Sequence, residues 1–190
     1  MTAPEKPLET VVLGIGNLLL GDEGVGVHAA HALMAGGLPP GVSVVDVGTA
    51  ILDALPVIQQ ADRIIVLDAV KADGPPGSVY RLPFDDCEHA HCIASMHGFD
   101  LSRVMVLAGC TRVPEVLVMG IEPERITWSL ELSPVVAEAL PILLREVVKE
   151  LDQTVPTRRR ADLNSSVPAE PPLCGSHLPA PIPRPSGVRA

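Results

Sequence analysis

The chain has 190 residues, of which 47% are hydrophobic and 19% are charged, as expected for one globular domain with its own core. Aromatic residues make up only 2%, so the core must be aliphatic, and so few rings argue against the binding of single-stranded nucleic acids, which needs stacking platforms. The net charge is −9, and the part before Val155 carries −12 from nine basic and 21 acidic residues, which excludes nucleic acids and anionic membranes as favourable partners.

The N-terminal extension, residues 1–9, has neither the basic nor the apolar region of a signal peptide. The apolar run at 11–20 is too short to span a bilayer, and it contains two glycines and Asn17. We therefore expect a cytoplasmic protein whose four irregularly spaced cysteines are free thiols.

Four continuous apolar runs rich in β-branched residues predict strands that are buried on both faces. These runs are 10–15, 42–47, 63–70 and 115–121. A shorter and more polar run at 78–82 predicts an edge strand.

Apolar residues at helical spacing predict helices at 24–35, 51–60 and 97–108. A longer helix is predicted from Pro134 to residue 151, with Ser133 as its N-cap and a kink at Pro141. Strands and helices thus alternate along the chain. This order predicts an α/β fold over 10–152, a three-layer sandwich with a mostly parallel central sheet and helices on both faces.

Residues 153–190 form a tail that is rich in proline and arginine and has little that could build a core. We expect this tail to be disordered.

In open parallel sheets, ligands bind beyond the carboxyl ends of the strands. Several polar residues of this sequence are predicted to lie at that end of the sheet. They are Glu23, Asp46, Asp68 and His97. Each has an ordinary structural explanation. A carboxylate stabilises a helix N-terminus or accepts hydrogen bonds from loop amides, and a single histidine near a helix start is more often structural than catalytic. Two carboxylates and an imidazole that converge on one cleft, however, would favour a cation such as nickel or zinc.

Other motifs are weaker. The Gly14-x-Gly16 sequence lacks the third glycine of a dinucleotide fingerprint, and no serine-nucleophile elbow is present. The segment 87–92 contains four potential metal ligands within six residues. Ligands so close together rarely form a tetrahedral site without strain, so we interpret this segment as a polar surface loop. These ligands are Cys87, His89, His91 and Cys92. His28 and His31 are predicted to be solvated on the first helix.

Five segments spread over about 130 residues resemble the hydrogenase maturation endopeptidases, which trim the C-terminal extension of nickel–iron hydrogenase large subunits. The segments are LGIGNLLLGDEGVG at 13–26, VDVGT at 45–49, IIVLDA at 64–69, SMHGFDL at 95–101 and GIEPERITWSLELSPVVA at 120–137.

This resemblance implies that Glu23, Asp68 and His97 are nickel ligands, and that the nickel is supplied by the precursor on which the enzyme acts. It also implies cleavage of one peptide bond in the precursor. Asp46 is a candidate for an acid/base or supporting role, and a monomer is expected.

The sequence departs from the family pattern at Val47, which replaces the first glycine of Asp-Gly-Gly-Thr. The cluster at 87–92, Pro141 and the tail also lie outside that pattern. Two alternatives stay open, namely a non-catalytic nickel-handling or scaffold protein and, from Gly14-x-Gly16 alone, a nucleotide-binding protein.

Overall fold

A central β-sheet organises the computed structural model, which describes residues 9–84, 91–92, 104, 114–152 and 181–182. The strands are β1 (Thr10–Ile15), β2 (Val42–Gly48), β3 (Arg63–Lys71), β4 (Val79–Pro83), β5 (His91–Cys92) and β6 (Glu115–Ile121). Their order is β2-β1-β3-β6-β4, and the short β5 pairs with the end of β3. β2, β1, β3 and β6 are parallel, whereas β4 and β5 are antiparallel to their neighbours.

Helices cover both faces of the sheet. α1 (Val25–Gly36) and α3 (Pro134–Asp152) pack on one face against alternate residues of β1, β3 and β6, while α2 (Leu55–Ile58) and the buried Val104 pack on the other. Two 3₁₀ turns, Asp22–Gly24 and Ile51–Ala54, lead into α1 and α2. The predicted three-layer α/β sandwich is therefore confirmed.

Two glycines bring α1 unusually close to the sheet. A Cβ atom at Gly14 of β1 would lie 2.5 Å from the Cβ of Ala30, and a Cβ at Gly26 would clash with the backbone oxygens of Ile15 and Leu67. Only glycine permits this approach, which places the start of α1 directly against the carboxyl ends of β1 and β3.

The predicted elements lie close to the observed ones. β1 and β6 agree residue for residue, α1 and β2 differ by one residue, and β4 is the predicted edge strand. The predicted burial of β2 on both faces is wrong, because β2 lies at the other edge of the sheet and only Val47 in it is buried. α3 begins at Pro134 and continues across Pro141 to Asp152.

The single helix predicted at 51–60 is wrong, because the chain forms a 3₁₀ turn and then the short α2. The reason is Pro56, which has no N–H to bond the carbonyl of Leu52 as an α-helix would require. The N–H of Leu55 bonds that carbonyl instead, which closes a 3₁₀ turn.

Most of the predicted helix at 97–108 lies outside the described residues, although Val104 is helical and fully buried. The predicted tail also lies outside them, except for Pro181 and Ile182. The N–H of Ile182 donates to the carbonyl of Val79 at 2.9 Å on the edge strand β4. No helix in the described part of the chain is long and apolar enough to cross a membrane.

Candidate active site

The strand order reverses direction at β1, which has β2 on one side and β3 on the other. In parallel α/β sheets, ligands bind in the crevice beyond the carboxyl ends of the strands at such a point. The segment that follows β1 crosses this crevice, and its 3₁₀ turn at Asp22–Gly24 lies against β3. Acidic residues occur on both sides of the crevice.

Glu23 lies in this 3₁₀ turn and is 5% exposed, with its Oε2 atom shielded from solvent. The turn rests on Gly16, where φ is +139° and a Cβ atom would clash with the backbone oxygen of Glu23. Any side chain at position 16 would therefore be strained and would displace the turn. The backbone at Gly16 thus fixes where Glu23 stands.

Asp68 lies near the carboxyl end of β3 and is fully buried. Its Oδ1 accepts a hydrogen bond of 2.8 Å from the N–H of Ala69. On the neighbouring strand, Gly120 pairs with Asp68, and a Cβ at that glycine would clash with the Asp68 carbonyl. Asp68 and Glu23 are consequently both buried at the same end of the β1–β3 pair.

His97, the third predicted ligand, lies outside the described residues, as do Cys87 and His89. His91 and Cys92 form β5, and their backbone pairs with Lys71 and Val70 at the end of β3. In the described ranges, no three His, Cys, Asp or Glu side chains group closely enough to hold a metal ion. The predicted trio of ligands therefore stays a prediction.

Asp46 lies on β2 and contacts α1. Its Oδ1 accepts from the N–H of Gly48 at 3.0 Å, and its Oδ2 lies 2.6 Å from Nε2 of His31. The pair is half exposed, with side-chain exposures of 50% for His31 and 37% for Asp46. The predicted solvation of the two histidines is wrong for His28, whose Nε2 is shielded and whose pKa is lowered by burial and by the charge of His31.

Asp22, whose role was not predicted from the sequence, is fully buried beside Glu23. Its Oδ2 accepts from the backbone N–H groups of Glu124 and Arg125, at 2.9 and 3.0 Å, and from the hydroxyl of Ser133 at 2.9 Å. Its Oδ1 accepts from the N–H of Ser133 at 2.6 Å. One carboxylate thus joins the segment after β1 to the loop after β6 and to the start of α3. Two sequence features could have indicated this contact. One is the acidic pair Asp22-Glu23 between two glycines, and the other is Ser133 directly before Pro134.

The same two segments are also joined through their backbones. The N–H of Gly21 donates to the carbonyl of Ser129 at 2.8 Å, and the N–H of Ser129 donates to the carbonyl of Leu19 at 3.0 Å. Gly21 has φ of +63°, which glycine adopts without strain. The rim of the crevice is therefore a hydrogen-bonded frame.

The described donors at this site are carboxylate oxygens. Such groups can complete the coordination of a divalent cation that another molecule partly holds, or they can accept a proton from water. Together the observations define a doubly wound α/β domain with buried carboxylates at the switch point of its sheet.

Comparison with known sequences identifies the family. The family model described as hydrogenase maturation protease (HycI) matches residues 27–150. The hydrogenase expression/formation protein HupD of Thiocapsa roseopersicina is 31% identical over 180 residues, which cover 91% of this chain and 78% of HupD. The hydrogenase 2 maturation protease of Escherichia coli is 30% identical over 152 residues, which cover 77% of this chain and 93% of that protein.

Solved structures agree. The hydrogenase maturating endopeptidase HybD from E. coli has a TM-score of 0.67 and 29% identity, over 76% of this chain and 92% of HybD. HybD from Thermococcus kodakarensis has a TM-score of 0.66 at 24% identity, which supports the fold alone. The chain belongs to the hydrogenase maturation protease family, as its sequence motifs predict, and it is a hydrolase of the endopeptidase type.

Proposed function

We propose that this protein is a nickel-dependent processing endopeptidase that removes the C-terminal extension of a nickel–iron hydrogenase large-subunit precursor. In this proposal the nickel belongs to the substrate, and its presence marks a precursor that is ready to be cut. The single observation that supports the proposal best is the burial of Glu23 and Asp68 at one end of the β1–β3 pair, in a member of this protease family.

Electrostatics favours a cation at this position. Burial of a carboxylate costs free energy, and two carboxylates at one sheet edge add their mutual repulsion. A divalent cation offsets both costs. Oxygen donors from Glu23 and Asp68, with an imidazole from His97, are a donor set that a half-coordinated nickel ion accepts.

The chemistry follows from that placement. Nickel bound to the precursor would act as a Lewis acid toward a nearby carbonyl or water, which makes attack on one peptide bond easier. Glu23 and Asp68 would hold the nickel-bearing end of the precursor over the sheet edge. Asp46, which is paired with His31, is the candidate for proton transfer or for a supporting role.

The test is a cleavage assay on nickel-loaded precursor, with the shorter product measured by mass spectrometry. Glu23→Gln and Asp68→Asn each replace a carboxylate by a neutral amide of nearly the same volume, and His97→Ala removes the imidazole. Each variant should lower the rate by about 100-fold or more. Glu138→Gln is the matched control, because Glu138 is an exposed acid on α3 that the proposal does not place at the site. Wild-type rates for the three variants would remove the site assignment.

The alternative function, that of a non-catalytic nickel-handling or scaffold protein, predicts tight nickel binding by the isolated protein and no shorter product in the same assay. We further propose that the protein acts in the cytoplasm and as a monomer. The monomer is favoured because two copies of a body with charge −12 repel each other. Sedimentation of the isolated protein tests the expected monomer.

A further inference from the structure

Two interlocked segments on the rim of the crevice expose large apolar side chains. Leu19 is 49% exposed, Trp128 is 81% exposed and Leu130 is 68% exposed. These are three of the six large hydrophobic residues with such exposure in the described part of the chain, and all three fall on two segments that are bonded to each other. Single exposed hydrophobic residues are normal on a protein surface, whereas a cluster of them marks an interaction site.

Backbone pairing brings these side chains to one place. Ser129 lies between Trp128 and Leu130 in the sequence, and its N–H and carbonyl bond to the segment that contains Leu19. Leu20 and Ser129 form a parallel bridge. We name Leu19, Trp128 and Leu130 the docking surface.

The docking surface stands on a fixed frame. The hydroxyl of Ser129 accepts from the N–H of Glu131 at 3.0 Å and donates to its carbonyl at 2.9 Å, which closes the turn around Leu130. Asp22 holds Glu124, Arg125 and Ser133 on either side of the turn. A frame that is ordered before binding loses little entropy when a partner binds.

The docking surface adjoins the candidate active site. Leu19 precedes Glu23 by four residues in the segment that crosses the crevice, and Asp22, beside Glu23, anchors the loop that carries Trp128. A polypeptide that contacts Trp128 and Leu19 would therefore approach the buried carboxylates.

We propose that the docking surface binds an apolar segment, flanked by a basic residue, of the precursor polypeptide that the enzyme cleaves. This inference rests on the proposed function and names the surface that holds the substrate. Exposed Glu131 borders the surface, as does Glu124, whose carboxylate lies 3.9 Å from the guanidinium of exposed Arg125. The acidic body as a whole attracts a basic segment. A second copy of this chain is the less favourable occupant, since it would bring two bodies with charge −12 together.

Trp128 is the sole tryptophan, so 5-fluorotryptophan labelling gives a single ¹⁹F resonance that reports on the docking surface directly. The resonance should shift when nickel-free precursor, which the proposed enzyme does not cut, is added. No shift with precursor would overturn the inference. A shift that appears on raising the concentration of the labelled protein alone, together with dimers in sedimentation, would also overturn it.

Kinetics give a second, independent readout. Trp128→Ser and Leu130→Ser should each raise KM by about tenfold and leave kcat within a factor of about two, because they remove contacts that substrate and transition state share. The matched control is Val148→Ser, since Val148 is 46% exposed on α3, away from this rim, and its KM should stay unchanged. An unchanged KM in both docking variants would overturn the inference even if the wild type cleaves. If neither the wild type nor any variant cleaves the precursor, the proposed function fails. The ¹⁹F titration then still decides whether the docking surface binds the precursor.

Discussion

The carboxylate of Asp22 accepts hydrogen bonds from both the N–H and the hydroxyl of Ser133, at 2.6 and 2.9 Å, although 111 positions separate the two residues. This contact ties the turn that carries Glu23 to the start of α3. It makes the geometry of the candidate site depend on packing between distant segments.

Replacement of Asp22 by asparagine should lower the free energy of unfolding by about 3 kcal/mol. The amide keeps the size of the side chain but brings a donor toward groups that are themselves donors, and a buried donor is left without an acceptor. Urea unfolding measures the loss. Glu124→Gln serves as the control, because its side chain is exposed, and an equal stability of the two variants would contradict the anchoring role.

Gly16→Ala should displace the Glu23 turn and destabilise the protein by about 2–4 kcal/mol, because the added Cβ clashes with the Glu23 carbonyl at a backbone angle that alanine disfavours. Thermal unfolding and precursor cleavage should both show the defect. Gly36→Ala is the matched control, since nothing lies within 4 Å of a Cβ at that position of α1. Similar effects of the two substitutions would contradict the close-packing argument.

Glu150 supports a separate, pH-dependent contribution to stability. Burial by itself raises the pKa of this carboxyl, but hydrogen bonds from Arg81 and Arg63, with their charges, lower it below its ordinary value of 4.5. A lowered pKa in the folded state stabilises the fold above pH 4.5, and this contribution is lost as the pH falls from 4.5 through the folded value.

Glu150→Gln should therefore cost on the order of 3 kcal/mol near neutral pH, because the buried guanidinium of Arg63 loses its charge partner. The difference from the wild type should shrink as the pH is lowered below 4.5. Unfolding free energies of both proteins from pH 7 to pH 3 provide the measurement. Lys149 and Glu146 form an exposed pair on the same helix, so Glu146→Gln should show little effect at any pH. A difference that grows on acidification would refute the assigned sign.

The strands were predictable as apolar runs, and β3, with eight consecutive buried residues, shows most clearly a run that is buried on both faces. β2 forms the same kind of run but lies at the edge of the sheet, where only Val47 is buried. The location of Glu23 and Asp68 at one end of the sheet followed from the rule for parallel strands. The contacts of Asp22 were not predictable, because they depend on a chain reversal that brings Ser133 back to the first loop. The break between the 3₁₀ turn and the short α2 was predictable from Pro56, because its missing N–H outweighs the apolar spacing around it.

Nickel at high concentration should raise the melting temperature, because an ion that binds the native state alone stabilises that state by mass action. The increase should decline as the pH falls, since protons compete for the carboxylates and for imidazole. Glu23→Gln and Asp68→Asn should abolish the increase, whereas Val148→Ser should retain it. An increase that survives both substitutions and is lost in Cys92→Ser would locate nickel binding at the 87–92 cluster instead.

The central claim is that the enzyme cuts only a precursor whose nickel its carboxylates can reach. The most direct measurement compares the wild-type rate of product formation from nickel-loaded precursor with the rate from the same precursor without nickel. The account predicts cleavage of the loaded precursor and a rate at least about 100-fold lower without nickel. Equal rates on the two precursors would contradict it.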